Sequence, residues 1–263
     1  MKKALIVYYS QSGNTRRALE TAEKKLQENG LSVLRYSIDK IKKPLPDDWE
    51  YLVLACPMYF AVEPLIVRRF LETMPDFEGK TGIIISTYAD RNKSPPDMHM
   101  IENLTELLAR KGISVLGSAG LVCSDSSDIM IRVHNRKDRP NGSDWEQFDS
   151  RIGTLCTKMM NESVSSNRQP GKGSLRRENW ITFNIVPKMR VYHVDCTLCG
   201  VCVKACPMNN LSIDEKLRIG TECMKCSLCE NACPQKAIRP NWKLLELMFC
   251  LPQKYPKNRE GIR

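Results

Sequence analysis

Eight cysteines stand in two runs of identical spacing, Cys196-x2-Cys199-x2-Cys202-x3-Cys206-Pro207 and Cys223-x2-Cys226-x2-Cys229-x3-Cys233-Pro234. Each cysteine of the first run lies 27 residues before its counterpart in the second. Three thiolates separated by two residues wrap one face of a cuboidal iron–sulfur cluster. The short segment after them turns helical and carries the fourth cysteine away, toward a neighbouring cluster. Proline then ends the helix, because it has no backbone N–H to donate. The spacing therefore predicts two 4Fe-4S clusters with exchanged fourth ligands. Cys196, Cys199, Cys202 and Cys233 hold cluster 1, and Cys206, Cys223, Cys226 and Cys229 hold cluster 2. Small residues between the ligands (Gly200, Ala205, Ser227, Ala232) leave room for them. Zinc ribbons, the competing explanation, use two C-x2-C knuckles rather than triple runs.

A second set of candidates lies near the N-terminus, in three short loops. Ser10-Gln11-Ser12-Gly13-Asn14-Thr15 follows an apolar run and precedes a helical stretch. Hydroxyls and backbone N–H groups at a helix N-terminus cradle a phosphate without a basic side chain. An Asn or Ser turn that only caps the helix explains the same residues. Pro57-Met58-Tyr59-Phe60 and Thr87-Tyr88-Ala89 follow two further apolar runs, and their tyrosines can stack on or flank a flat ring. Taken singly, each tyrosine reads more often as half-buried packing than as a ring-binding residue.

The elements that must position these loops follow from the periodicity. Apolar, β-branched runs predict strands at 2–9, 31–38, 51–56, 81–87 and 113–122. Helices fit at 64–74, 97–110 and 143–160, and after the first loop, where Ala18, Ala22 and Leu26 share a face and Asn29-Gly30 offers a stop. A Ser143-x-x-Glu146 capping box starts the last helix, whose expected buried face is Trp145, Phe148, Ile152, Leu155 and Met159. Strands alternating with helices predict an α/β, doubly wound, five-stranded parallel sheet, with ligands at the carboxyl ends of the strands. Residues 40–49, with Pro44 and Pro46, read as an abbreviated crossover.

On these three loops, residues 1–160 resemble flavodoxins, in which a Ser/Thr-x-Ser/Thr-Gly-Asn-Thr loop holds the FMN phosphate. The resemblance implies FMN bound by Ser10, Gln11, Ser12, Gly13, Asn14 and Thr15, with Pro57, Met58, Tyr59 and Phe60 and then Thr87, Tyr88 and Ala89 flanking the flavin. Many relatives carry glycines after the third-loop tyrosine, where this chain has Ala89-Asp90. With the cysteine runs behind it, the whole chain resembles the flavodoxin–ferredoxin fusion proteins of anaerobic bacteria and archaea. The implied organisation is a flavodoxin-like domain at 1–160, a basic linker at 161–190, a small α+β bacterial ferredoxin-like domain at 191–240 and a tail with a short helix at 241–263.

Composition bounds the remainder. Forty Lys and Arg against 30 Asp and Glu give a formal charge of +10, which alone would suit nucleic acid, a membrane surface or an acidic partner. Two oxidised clusters and a flavin phosphate bring the loaded protein to about +4. No nucleic-acid recognition motif accompanies the charge, so no nucleic-acid partner is expected. The run from Ala4 to Tyr9 is too short for a secretory or membrane segment, and clustered cysteine then points to a cytoplasmic metal protein. Cys56, Cys123, Cys156 and Cys250 read as small hydrophobes, and His99, His134 and His193 show no ligand spacing. Residues 242–249 form a short amphipathic helix that can pack back on the N-terminal domain, bridge to a partner or touch a membrane surface, the first being the commonest outcome for so short a segment.

The functional expectation is an electron-transfer iron–sulfur flavoprotein coupling one-electron carriers to a two-electron donor or acceptor, with redox proteins as partners and homodimer formation open. The alternative is an FMN-dependent reductase of a quinone, nitro compound or metal chelate, fed by its own clusters. It needs an open pocket over the flavin.

Overall fold

The computed structural model describes residues 2–89, 98–125, 131, 138–161 and 187–248. Their contacts divide into two units, one holding the N-terminal strands and the other the cysteine runs. The predicted linker motifs between 162 and 186, together with Asp90, His134 and Cys250, lie outside the described residues.

In the first unit the order is β1 (Lys3–Tyr8), α1 (Asn14–Glu28), β2 (Ser32–Ser37), β3 (Tyr51–Pro57), α2 (Leu65–Thr73), β4 (Lys80–Tyr88), α3 (Met98–Ala109), β5 (Ile113–Val122) and α4 (Gly142–Asn161). All strand pairs are parallel, in the order β2-β1-β3-β4-β5. This is the flavodoxin-like winding, with its switch point between β1 and β3. No helix connects β2 to β3. A 3-10 turn at Ile38–Lys40 leads into coil, where Trp49 is buried, donates from Nε1 to the Pro46 carbonyl at 2.8 Å, and packs on Phe77.

Residues Tyr51 to Cys56 and Thr81 to Thr87 are buried without a break, as strands covered on both faces must be. One face carries Ala4, Ile6, Val53, Ala55, Ile83 and Ile85 against Ala18, Leu19, Ala22 and Leu26 of α1 and Phe148, Ile152, Leu155 and Met159 of α4. The alternate residues Leu5, Leu52, Leu54 and Ile84 are equally buried, on the opposite face. Val67, Leu71, Met100, Leu104 and Leu108 of α2 and α3 are buried as well.

Two local expectations are corrected. The capping box at α4 is formed by Asn141 and Asp144, not Ser143 and Glu146. Asp144 donates its N–H to Asn141 Oδ1 at 3.1 Å, and its carboxylate accepts the Asn141 N–H at 2.8 Å. The same carboxylate pairs with Arg139, so a buried acid with two partners outcompetes a serine two residues into the turn. Ser143 instead accepts a bond from Gln147 Nε2. Trp145 is half-buried rather than buried, with its ring under the Arg17 guanidinium at 5.4 Å.

The second unit runs β6 (Met189–Val191), α5 (Val201–Ala205), β7 (Leu211–Ile213), β8 (Leu217–Ile219), α6 (Leu228–Ala232), β9 (Ile238–Pro240) and α7 (Lys243–Met248). β6 pairs antiparallel with β9, and β7 with β8. The core is small: Leu211, Leu217, Ala237 and Ile238 with Cys202 and Cys233. The expected tail helix forms, but Trp242, just before it, is buried and donates to Glu230 Oε1 of α6 at 3.1 Å, within its own unit.

Candidate functional site

The 27-residue sequence repeat recurs in the backbone. Leu198 and Lys225 have φ of 54° and 55°, Gly200 and Ser227 of 74° and 60°, and Asn209 and Lys236 of 49° and 52°. Left-handed conformation in non-glycine residues costs roughly 1–2 kcal/mol each. Four of these six positions carry a residue that is neither Gly nor Asn, so the loops hold strain of the kind found at ligand clamps. Gly200 and Ser227 then open α5 and α6, which carry the chain from the third cysteine of each run to the fourth.

The consequence is a crossing of cysteines between the runs. Cys196, Cys199, Cys202 and Cys233 line one cavity. Cys206, Cys223, Cys226 and Cys229 line another. Each crossing cysteine accepts a backbone N–H from the residue four positions on, Asn210 to Cys206 Sγ at 3.4 Å and Ala237 to Cys233 Sγ at 3.2 Å. Asn210 also fixes the approach to Cys223, accepting the Glu222 N–H at 3.0 Å and donating to the Gly220 carbonyl.

These donor sets suit iron–sulfur clusters: four thiols around a space, with N–H groups aimed at sulfur and apolar side chains filling the rest. Burial pushes the Cys226 thiol up to about 11 and raises Cys202 and Cys229 as well. A hydrogen bond from the Val201 backbone instead lowers Cys199. Cluster loading must therefore expel protons from buried thiols.

In the first unit, the three predicted loops meet at the carboxyl ends of β1, β3 and β4. Tyr59 donates its hydroxyl hydrogen bond to Gln11 Oε1, joining the second loop to the first. Thr15 and Thr87 share a buried hydroxyl–hydroxyl bond of 2.8 Å, joining the first to the third. Met58 N–H donates to the Thr87 carbonyl at 2.9 Å, closing the triangle. Gly13, at φ +93°, turns the chain into α1, and the Arg16 N–H donates to Ser10 Oγ at 3.2 Å.

Tyr59 and Val62 bridge each other across Phe60 and Ala61, both left-handed at φ 53° and 70°. Such a turn ordinarily takes Asn-Gly. Tyr88 lies over β5, where a Cβ on Gly120 would fall 2.7 Å from its ring, so the ring packs on the sheet edge.

Sequence reading missed the support beneath the second loop. Glu63, with a side chain 0% exposed, pairs through Oε1 with Arg68 at 2.5 Å and accepts from Asn103 Nδ2 at 3.0 Å. A lone acid before a proline carries no spacing signal. Burial raises its carboxyl pKa despite the Arg68 guanidinium. A raised folded-state value means that Glu63 favours folding below its unfolded pKa and loses that contribution as pH rises through the folded one. The stability of a Glu63→Gln variant relative to wild type should therefore improve from pH 4 to pH 7, as measured by chemical denaturation. Cys56, Cys123 and Cys156 are buried, and desolvation raises all three thiols, Cys123 to about 12 and Cys156 to about 11, so they stay protonated and inert.

A flavodoxin-like sheet with three loops at the carboxyl ends of its strands thus precedes a unit with two four-cysteine cavities. Residues 190–212 match the 4Fe-4S binding domain family, over a segment that contains Cys196 to Cys206. A flavodoxin of Fusobacterium nucleatum, bound to flavin mononucleotide, is 16% identical with a TM-score of 0.44, covering 61% of this chain and 98% of that one. An NADH:FMN oxidoreductase in its apo form is 15% identical with a TM-score of 0.48, covering 66% of this chain and all of that one. A short-chain flavodoxin associated with a bacterial microcompartment is 14% identical with a TM-score of 0.47, covering 60% and 99%. No curated protein matches the chain. Among the described residues no helix is long and apolar enough to cross a membrane.

Proposed function

We propose that this chain is an electron-transfer iron–sulfur flavoprotein in which two 4Fe-4S clusters and an FMN couple one-electron carriers to a two-electron donor or acceptor. The crossing of Cys206 and Cys233 into the opposite runs' cavities carries the reading, because it gives two complete four-thiol sets from one repeat. When bound, the clusters supply single-electron transfer, and a flavin accepts or releases one or two electrons. The chain's own residues hold and tune them. Asn210 and Ala237 direct N–H groups at the crossing sulfurs, favouring added negative charge there. The 10–15 loop offers its hydroxyls and the α1 N-terminus to the FMN phosphate, and Tyr59 and Tyr88 stand on the loops expected to flank the ring. Redox proteins are the partners this reading calls for.

Anaerobic reductive titration of the loaded protein, followed by electron paramagnetic resonance, tests it. Two interacting reduced clusters and a flavin signal at low potential are expected. Clusters without flavin would sink the FMN half of the reading. Gly13→Ala probes the phosphate loop directly. A methyl group at φ +93° forces the turn open, and FMN affinity should fall about tenfold in a fluorescence titration of the flavin-free protein.

A further inference from the structure

The repeat lets each cavity serve as a control for the other, because residues 27 positions apart occupy equivalent places. Compared in this way, the two ligand loops differ in what covers them. Thr197, Leu198, Cys199 and Val201 are all exposed, Leu198 by 43% and Val201 by 41%. Their counterparts Met224, Lys225, Cys226 and Leu228 are buried or half-buried, Met224 to 6% exposure. The walls differ in chemistry too. Met189, Met208 and Met224 line the second cavity, whereas the first has Thr197 and Gln235 at the places equivalent to Met224 and Met208. Outside the second cavity, α6 is backed by the Trp242–Glu230 hydrogen bond. Glu230 corresponds to the half-buried Val203 of α5.

We propose that the two four-cysteine sites are inequivalent: the site of Cys199 is the solvent-facing port that exchanges with soluble reagents and carriers, and the site of Cys226 is screened by its methionine wall. The inference rests on the two-cluster reading. An apolar shell around a metal group governs the access of water and solutes; at the first site the part of that shell on the ligand loop, Leu198 and Val201, is itself exposed, whereas Met224 of the second is buried. Cys199 is itself exposed, with Thr197, Leu198 and Val201 exposed beside it, so solvent reaches the first site through this ligand. Electrons arriving from solution therefore meet the first site before the second.

The test uses the loaded full chain under argon with an aryl mercurial and an iron chelator. Each iron–thiolate bond that breaks is replaced by a sulfur–mercury bond, and no electron is transferred. Iron content at the start separates the two readings: a chain that loads only one cluster defeats the two-cluster reading itself. With both present, half the iron should leave about tenfold faster than the rest. Mass mapping should find mercury first on Cys196, Cys199, Cys202 and Cys233. Met224→Thr, which installs the residue of the first site, should speed the slow phase several-fold, and Thr197→Met should slow the fast one. A single phase, early labelling of Cys206, Cys223, Cys226 and Cys229, or a slow phase indifferent to Met224→Thr would overturn the proposal.

Discussion

Replacing Cys233 with alanine should empty the cavity of Cys196, Cys199 and Cys202, although Cys233 lies four residues from Cys229 and 37 from Cys196. Iron content should fall by half, and Cys206→Ala should remove the other half. The pairing can be read by combination, because groups that act as one unit are not additive. Cys233→Ala with Cys196→Ala should lose no more iron than either alone, whereas Cys233→Ala with Cys223→Ala should lose all of it. The opposite pattern would mean that each run keeps its own fourth cysteine. The backbone argues for the crossing. α5 and α6 begin at equivalent left-handed residues and end at Cys206 and Cys233, and each of those sulfurs faces three from the other run.

Stripping the iron should unfold the cysteine-rich unit and spare the sheet. Its strands are three residues long, α5 and α6 are five, and the apolar core reduces to Leu211, Leu217, Ala237 and Ile238 with cysteines. Elements this short do not hold alone in water, and so small a core does not offset chain entropy. Bound clusters would supply the difference, as structural zinc does in small zinc-finger domains, where it is worth on the order of 10 kcal/mol. Hydrogen exchange after chelation should show lost protection across Met189–Val191 and Ile238–Pro240, with β1, β3 and β4 unchanged. Retained protection in β6 and β9 would show that this core stands without its clusters. The first unit has its own reserve, a sheet buried on both faces and packed by α1 and α4.

What was legible in the sequence is what period and spacing encode. Five strands at their expected places, the parallel winding and the repeat of the cysteine runs all follow from local pattern. A strand covered on both sides must be apolar throughout, and a wrapping loop must space its ligands evenly. The cap of α4 was misplaced because two boxes overlap there, and only the position of Arg139 decides that Asp144 becomes the partner. Tertiary structure alone decided three things. Glu63 pairs with Arg68 on the adjoining helix and with Asn103, forty residues away on α3, and no motif announces that buried acid. Tyr88 lies on the sheet edge because Gly120, on the neighbouring strand, leaves the space. The two cysteine runs, identical in spacing, differ in exposure, Leu198 and Val201 exposed against a buried Met224, because burial depends on what packs against a loop and not on the spacing within it.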